Sequence, residues 1–395
     1  MPFLTELQVL GVKSETTQNT PATLASGDFL QAPTTFYEPD VEEIKRDFAR
    51  QSMDSVSSIR GRSFGDISYK IPLKGSGTAG TAWAPLAATL LACGFVALPS
   101  TGATGVNATT VTVPGSGYIL PPTITAATGT GGLFRAVINN GALVAVLIIQ
   151  SGTGYGAGSF TITGGGGTSA AATYTVGNTI TYSVTSVSAA NHFTVGQAAT
   201  VELYRGATTN AIKTVLKGAV GKSWKFGVSA GGLGYLEVGL RGMYVAPTTA
   251  TPIATTYNNT IEPICQSSFL NAMGYSPIAQ KIDIDLGLKI ASREDLNQPY
   301  GIGGFMITGR DPKFSFDPEV DTLTNQDFIG KMIAGTEGAA GFKLGSVAGN
   351  TIWATMPAVQ YSKVKFVDRN GIMCYNIDGQ LNQATGDDSL NLVFV

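Results

Sequence analysis

Several stretches of this sequence carry residue types and spacings that could do chemistry. Gly75-x-Gly77-x-x-Gly80 has the glycine spacing that lets a backbone approach a dinucleotide pyrophosphate, between a strand-like and a helix-like segment. That chemistry also needs a carboxylate about 20 residues further on for the ribose, and no Asp or Glu lies between Gly75 and Val201. A flexible loop is the better reading. Gly221-Lys222-Ser223 resembles the end of a phosphate loop, but the loop's first glycine would fall on Leu216. The next residues, Trp224-Lys225-Phe226-Gly227-Val228, read as a strand, so no helix N-terminus is offered to a phosphate. Asp317, Glu319 and Asp321 have the spacing that begins a calcium loop, yet its sixth position is Thr322 and its twelfth is Phe328. A plain acidic turn accounts for them. The single histidine, His192, stands in Ala190-Asn191-His192-Phe193-Thr194 with no nucleophile elbow nearby. Cys93, Cys265 and Cys374 are odd in number and far apart, which suits buried small hydrophobes better than a disulfide framework or a metal site. No catalytic, cofactor-binding or metal-binding constellation emerges, and a non-enzymatic protein is expected.

The elements around these residues are easier to read. Ile67, Tyr69, Ile71 and Leu73 alternate with Ser68, Lys70, Pro72 and Lys74, the pattern of a strand with one buried face. After the Gly75–Gly80 turn comes a helix: Pro85 suits its first turn, Leu86, Leu90 and Cys93 form an apolar stripe, and Gly94 suits a left-handed cap. Trp224, Phe226 and Val228 alternate, as do Leu236, Val238 and Leu240, and the glycine-rich stretch between them predicts a hairpin. Ile282, Ile284 and Leu286 alternate with Asp283 and Asp285. A second helix is expected over Asp327–Ala334, with Thr324 as its N-cap and Gly335 as its C-cap.

The composition fits many short strands and tight turns. The 395 residues include 50 glycines, only 13% are charged, and the formal net charge is −2. Ordinary domains carry roughly 25% charged residues, so a surface this poor in charge carries a solubility risk, tolerable if much of it is buried in an assembly. The near-neutral balance gives no footprint for gripping nucleic acid. No apolar run is long enough for a membrane-spanning helix, and the first residues do not read as a secretory leader.

Along the chain, residues 1–27 read as an extended or loosely held arm. Glu38 to Asp47 is the densest charge run; it reads either as a solvated turn and short helix or as one side of a subunit contact. Between Lys74 and Glu202 the only Lys, Arg, Asp or Glu is Arg135. Within that window, Val111–Thr125 is echoed by Ile148–Thr163, each a strand, a Gly-x-Gly-Tyr turn and a strand, with Tyr118 and Tyr155 37 residues apart. A repeat at such a period marks stacked supersecondary units, so residues 99–176 are expected to form a small all-β domain inserted in an exposed loop.

The Arg60-Gly61-Arg62 segment, the strand ending LKGSGTAG and the helix closing LLACGF resemble the major tail tube proteins of long-tailed bacteriophages. Val215–Pro247, with its Gly-x-x-Gly element and two strands, is similar to a second signature of that family, and the C-terminal third looks like it too. The resemblance covers roughly 25–98 and 195–395. It implies a mainly β fold: an antiparallel tail-tube domain over 28–98 and 177–395, with barrel-forming sheets and one or two flanking helices, beside the inserted domain. It implies a virion structural protein assembled in the host cytoplasm, with homo-hexameric rings stacking into a tube. Its partners would be the tape-measure, tail-terminator and distal tail or baseplate proteins. Double-stranded DNA would pass through the lumen without specific binding, and no cofactor or membrane would be involved. Asp283 and Asp285 are candidates for the lumen lining, where carboxylates would repel phosphates, or else belong to an ordinary solvent face. Glu38, Asp40, Glu42 and Glu43 are expected to meet Arg60 and Arg62 of a neighbour. Tyr118 and Tyr155 are candidates for an outer decoration. Exposed, they would suit the alternative reading, a surface adhesin or carbohydrate-binding module.

Overall fold

The computed structural model describes residues 7–30, 35–46, 48, 54, 56–186, 198–206, 209–266 and 268–395. His192 and Asp47 lie outside the described residues. The chain is mainly β, with antiparallel pairing throughout and two α-helices among the described residues.

The first strands are β1 (Gln8–Ser14), β2 (Phe29–Leu30), β3 (Thr35–Ile44) and β4 (Ile59–Pro72), followed by α1 (Ala84–Ala92) and β5 (Phe95–Pro99). The alternation expected of β4 holds as far as Ile71: Ile67, Tyr69 and Ile71 are buried while Ser68 and Lys70 are exposed, but Pro72 and Lys74 are buried along with Leu73, and Lys74 is paired with Glu262 at 2.9 Å. Helix α1 carries Pro85 in its first turn and Gly94 beyond its end at φ +85°. Its Leu86 and Leu90 are fully buried, and the Thr89 hydroxyl bonds to both the Pro85 carbonyl (2.7 Å) and Tyr69 Oη (2.8 Å). From Gln8 onward the N-terminal segment is not a loose arm. Strand β1 is paired, Leu10 and Val12 are buried, and the Glu15 carboxylate accepts from Asn19 N, Thr200 Oγ1 and Gly218 N at 2.7–2.9 Å. Three apolar residues without strict alternation, Val9, Leu10 and Val12, give a weak sequence signal, but the partner strand completes the burial.

Six strands, β6 (Gly105–Val113), β7 (Thr123–Ala126), β8 (Thr130–Asn139), β9 (Ala142–Thr153), β10 (Gly158–Thr163) and β11 (Ala171–Gly177), form a sheet of their own in the order β6-β11-β10-β7-β8-β9. It encloses a separate core that includes Val106, Leu143, Ile148, Phe160 and Tyr174. Strand β9 is apolar on both faces. Leu143, Val146 and Ile148 face this core, whereas Ala145, Leu147 and Ile149 pack with Ala339 of the main body. That explains the continuous run Leu143–Ile149, which a half-exposed strand would not have.

The main body resumes with β12 (Ile180–Val184), β13 (Ala199–Arg205), β14 (Ala211–Ser229) and β15 (Tyr235–Ala250). It continues through β16 (Leu270–Ala272), β17 (Ala279–Asp285), β18 (Lys289–Glu294), β19 (Ile302–Gly309), β20 (Lys313–Pro318), α2 (Phe328–Ile333), β21 (Glu337–Leu344), β22 (Ile352–Arg369), β23 (Ile372–Asn382) and β24 (Asn391–Phe394). The cap of α2 is Asp327, whose carboxylate accepts from Gly330 N at 2.7 Å, rather than Thr324. Gly335 follows the helix at φ +64°.

The main sheet contains the same topology twice. In the first unit β1 pairs with β13, β13 with β14, β14 with β15, β15 with β4 and β4 with β3, and α1 lies between β4 and β13 in the chain. In the second, β16 pairs with β21, β21 with β22, β22 with β23, β23 with β20 and β20 with β17, and α2 lies between β20 and β21. The units meet at β14 and β17. The result is one curved antiparallel run of eight strands, β3-β4-β15-β14-β17-β20-β23-β22.

Candidate functional site: a polar concave face and two open edges

One face of the eight-strand run is core. Tyr69, Trp224, Phe226, Leu236, Ile284, Phe314 and Ile377 are buried there. The other face is polar and concave, enclosing about 930 Å³ lined from Lys70 on β4 to Lys363 on β22. Alternation along each strand separates the two faces.

Charges on the polar face alternate across the strands. Successive partners run Lys70, Glu237, Lys225, Asp285, Lys313 and Gln380. Lys70 bridges to Glu237 at 2.5 Å and Lys225 to Asp285 at 3.4 Å. Asp283, one turn of the pleat away, pairs with Lys281 at 2.9 Å, and that carboxylate raises the lysine's pKa. The structure therefore puts Asp283 and Asp285 on the polar face but neutralises both. The partner of Asp285 comes from the neighbouring strand β14, and that of Asp283 from two positions away on β17 itself. Such exposed pairs contribute only about 0–1 kcal/mol each, so the row specifies cross-strand register more than it adds stability.

The run has two open edges. Among the described residues, β3 has no backbone partner opposite β4, and β22 beyond Gln360 has none opposite β23. The charge run of Glu38 to Glu43 lies in β3, an exposed edge strand, not in a turn and helix. Its Pro39 lacks an N–H, a feature that edge strands tolerate. Arg60 and Arg62 meet this run within the same chain, because β3 and β4 form one hairpin. Arg62 bonds Glu42 at 2.7 Å and also contacts Glu294, and Arg60 lies 3.9 Å from Glu43. Hydrogen bonding from Arg62 lowers the Glu42 pKa, and hydrogen bonding from Ser58 does the same for Glu43. Pairing of these arginines with a neighbour's acids is thus replaced by pairing in the same chain. Glu38 and Lys365 have no ion-pair partner among the described residues.

The other sequence candidates are structural. Tyr118 and Tyr155 are each only 6% exposed. A Cβ added at Gly167 would lie 2.4 Å from the Tyr118 ring, and Tyr155 Oη accepts from Gly132 N at 3.0 Å. Gly165 and Gly167 leave the slot that the Tyr118 ring fills, and Gly129, Gly132 and Gly152 the slot for Tyr155, so these tyrosines offer no sugar-stacking face. Arg369 ties Asp317 to Glu319, and Tyr275 Oη donates to Asp321 at 2.7 Å. Gly75 N donates to Asn350 Oδ1 at 2.8 Å, closing the glycine loop against the chain. At Gly221 a Cβ would lie 2.7 Å from Cys93 Sγ, so this glycine admits the end of α1 against β14. Cys93, Cys265 and Cys374 are free thiols, and burial pushes the Cys93 thiol far up.

Sequence reasoning missed the lysines. Lys225 and Lys365 each sit before a phenylalanine in a like context, Trp224-Lys225-Phe226 and Val364-Lys365-Phe366. This short echo was the available signal of the duplicated unit.

Among the described residues no helix is long and apolar enough to cross a membrane, and no group of three or more His, Cys, Asp or Glu converges as a metal site. No protein-family model and no curated protein sequence matches the chain.

Proposed function

We propose that this protein is the structural subunit of a tube, of the kind that forms the tail of long-tailed bacteriophages, and that it works by assembling rather than by catalysis. The observation carrying this reading is the continuous eight-strand sheet, polar and concave on one side, buried on the other and open at both ends. Open edges are a liability in a monomer and are normally covered, blunted or closed into a barrel. Joining the two edges head to tail makes a ring with no free edge, and an even number of antiparallel strands brings strands of opposite sense together at each joint. The concave polar face then lines the lumen. Its lysine–carboxylate row gives little net field, which suits a conduit along which double-stranded DNA slides without being held. Stacked rings form the tube of the virion.

The experiment is negative-stain electron microscopy of the purified full chain over a rising concentration series. Rings or tubes with a central channel are the expected result. A chain that stays monomeric across the series overturns the reading.

A further inference from the structure

We infer that three chains, not six, close each ring, and that the joint between chains copies the β14–β17 joint inside each chain, with Lys365 of one copy beside Glu38 of the next. The inference rests on the tube reading and specifies its self-partner surface.

The register follows from the duplicated unit. Aligning Trp224-Lys225-Phe226 with Val364-Lys365-Phe366 fixes one strand. Stepping across the sheet, Trp224 leads through Val238 and Tyr69 to Thr35, while Val364 leads through Ile377 and Phe316 to Ile282. Thr35 therefore corresponds to Ile282, Tyr37 to Ile284 and Glu38 to Asp285. Within the chain, Lys225 faces Asp285 and Phe226 faces Ile284 across the unit boundary. Copied between chains, Lys365 faces Glu38, Phe366 faces Tyr37, and one step further Lys363 faces Asp40. The charges match without having been used to set the register. Strand β3 carries four carboxylates and no cation; residues 361–369 of β22 carry three cations and one carboxylate. Phe36 and Phe366, 67% and 59% exposed, come to the joint as well.

The stagger sets the strand tilt, and the copy number then turns on the curvature. Lys363 shares a row, through Asp378, Ser315 and Asp283, with Gly227, yet its counterpart in the first unit is Ser223. Equivalent positions are thus displaced by four residues over four strands. One residue per strand, at about 3.3 Å rise and 4.8 Å spacing, is a tilt of about 35°, the slope at which barrels close. At that tilt three chains give 24 strands on a radius of about 22 Å, whereas six would give roughly twice that radius. The tighter curve agrees with a single concavity lined by residues from β4 to β22. The ring is then sixfold in units and threefold in chains.

The test is a disulfide across the joint. Positions 38 and 365 fall at a non-hydrogen-bonded pair, about 4.5 Å between Cα atoms, within disulfide reach. Full-length Glu38→Cys and Lys365→Cys chains, mixed and oxidised, are expected to give a covalent dimer that neither gives alone. The double variant is expected to give a ladder ending at three chains on non-reducing gels. Rings that form without this cross-link overturn the joint. A ladder ending at six overturns the copy number. In both cases the tube reading stands. Absence of any ring overturns that reading as well. As an independent arm, Lys365→Glu should raise the concentration needed for assembly at least tenfold, and Glu38→Lys in the same chain should restore it. Failure of the pair to restore assembly counts against the joint.

Discussion

At the residue scale, close packing and ion pairing make separable predictions. Gly221 stands where α1 meets β14, and Cys93 Sγ already occupies the space of a Cβ. Gly221→Ala is expected to cost about 1–3 kcal/mol of stability, measured by denaturant unfolding, because a tight core cannot absorb an added methyl freely. Asp66 is held between Arg241, at 2.6 Å, and Lys222, at 2.7 Å. Burial pushes its pKa up, but the hydrogen bonds from Arg241 and Lys222 outweigh it and hold the carboxyl below its ordinary range. The unfolded chain restores the ordinary value. The contribution is therefore fully present above that value and lost as the pH falls through the lower folded one. Asp66→Asn is expected to lower stability by about 1 kcal/mol near neutrality, allowing for solvent screening. The gap to the parent protein should narrow in acid; a gap that widens there would contradict this assignment.

At the element scale, β9 decides how the second sheet is attached. Leu147 and Ile149, beside Val137 of β8, face the main body at Ala339, and Thr355 Oγ1 donates to the Ile148 carbonyl at 3.1 Å. Leu147→Ala is expected to cost about 2–5 kcal/mol. If β9 is the tether, hydrogen exchange should rise across residues 105–177 before it rises in β14 or β15. Equal change throughout would mean that the two sheets unfold as one. Strand β4, the hairpin of β14 and β15, and α1 were legible in the sequence because alternation, proline and glycine act locally. The cap of α2 was not, because Asp327 also reads as a helical residue and only its bond to Gly330 N distinguishes the roles. Tyr118 and Tyr155 misled for a similar reason: the spacing marks the turn, but the side on which each ring lies depends on glycines from partner strands.

At the scale of the whole molecule, the two edges carry opposite charge and exposed aromatic residues. Assembly through them is expected to weaken as salt rises from about 0.05 M to 1 M, since the screening length falls from roughly 14 Å to 3 Å. The monomer's own unfolding temperature should change far less, because its stability comes from buried apolar area. Sedimentation velocity at several salt concentrations, beside a thermal melt, separates the two effects. Assembly indifferent to salt would leave apolar contact, through Phe36 and Phe366, as the main force holding the joint.

The sequence by itself determined that the chain is built of strands with one buried face, that residues 99–176 differ in composition from the rest, and that no familiar catalytic spacing is complete. Those properties depend on period, turn chemistry and residue type, all of which are local. Only the tertiary structure decided that the polar face is charge-balanced, that Arg60 and Arg62 serve their own chain, that the repeat tyrosines are buried, and that the main sheet is a topology used twice. Each of these depends on which strand lies beside which. Strand pairing joins residues up to hundreds of positions apart, and the alternation that makes a strand recognisable is the same whichever neighbour it takes.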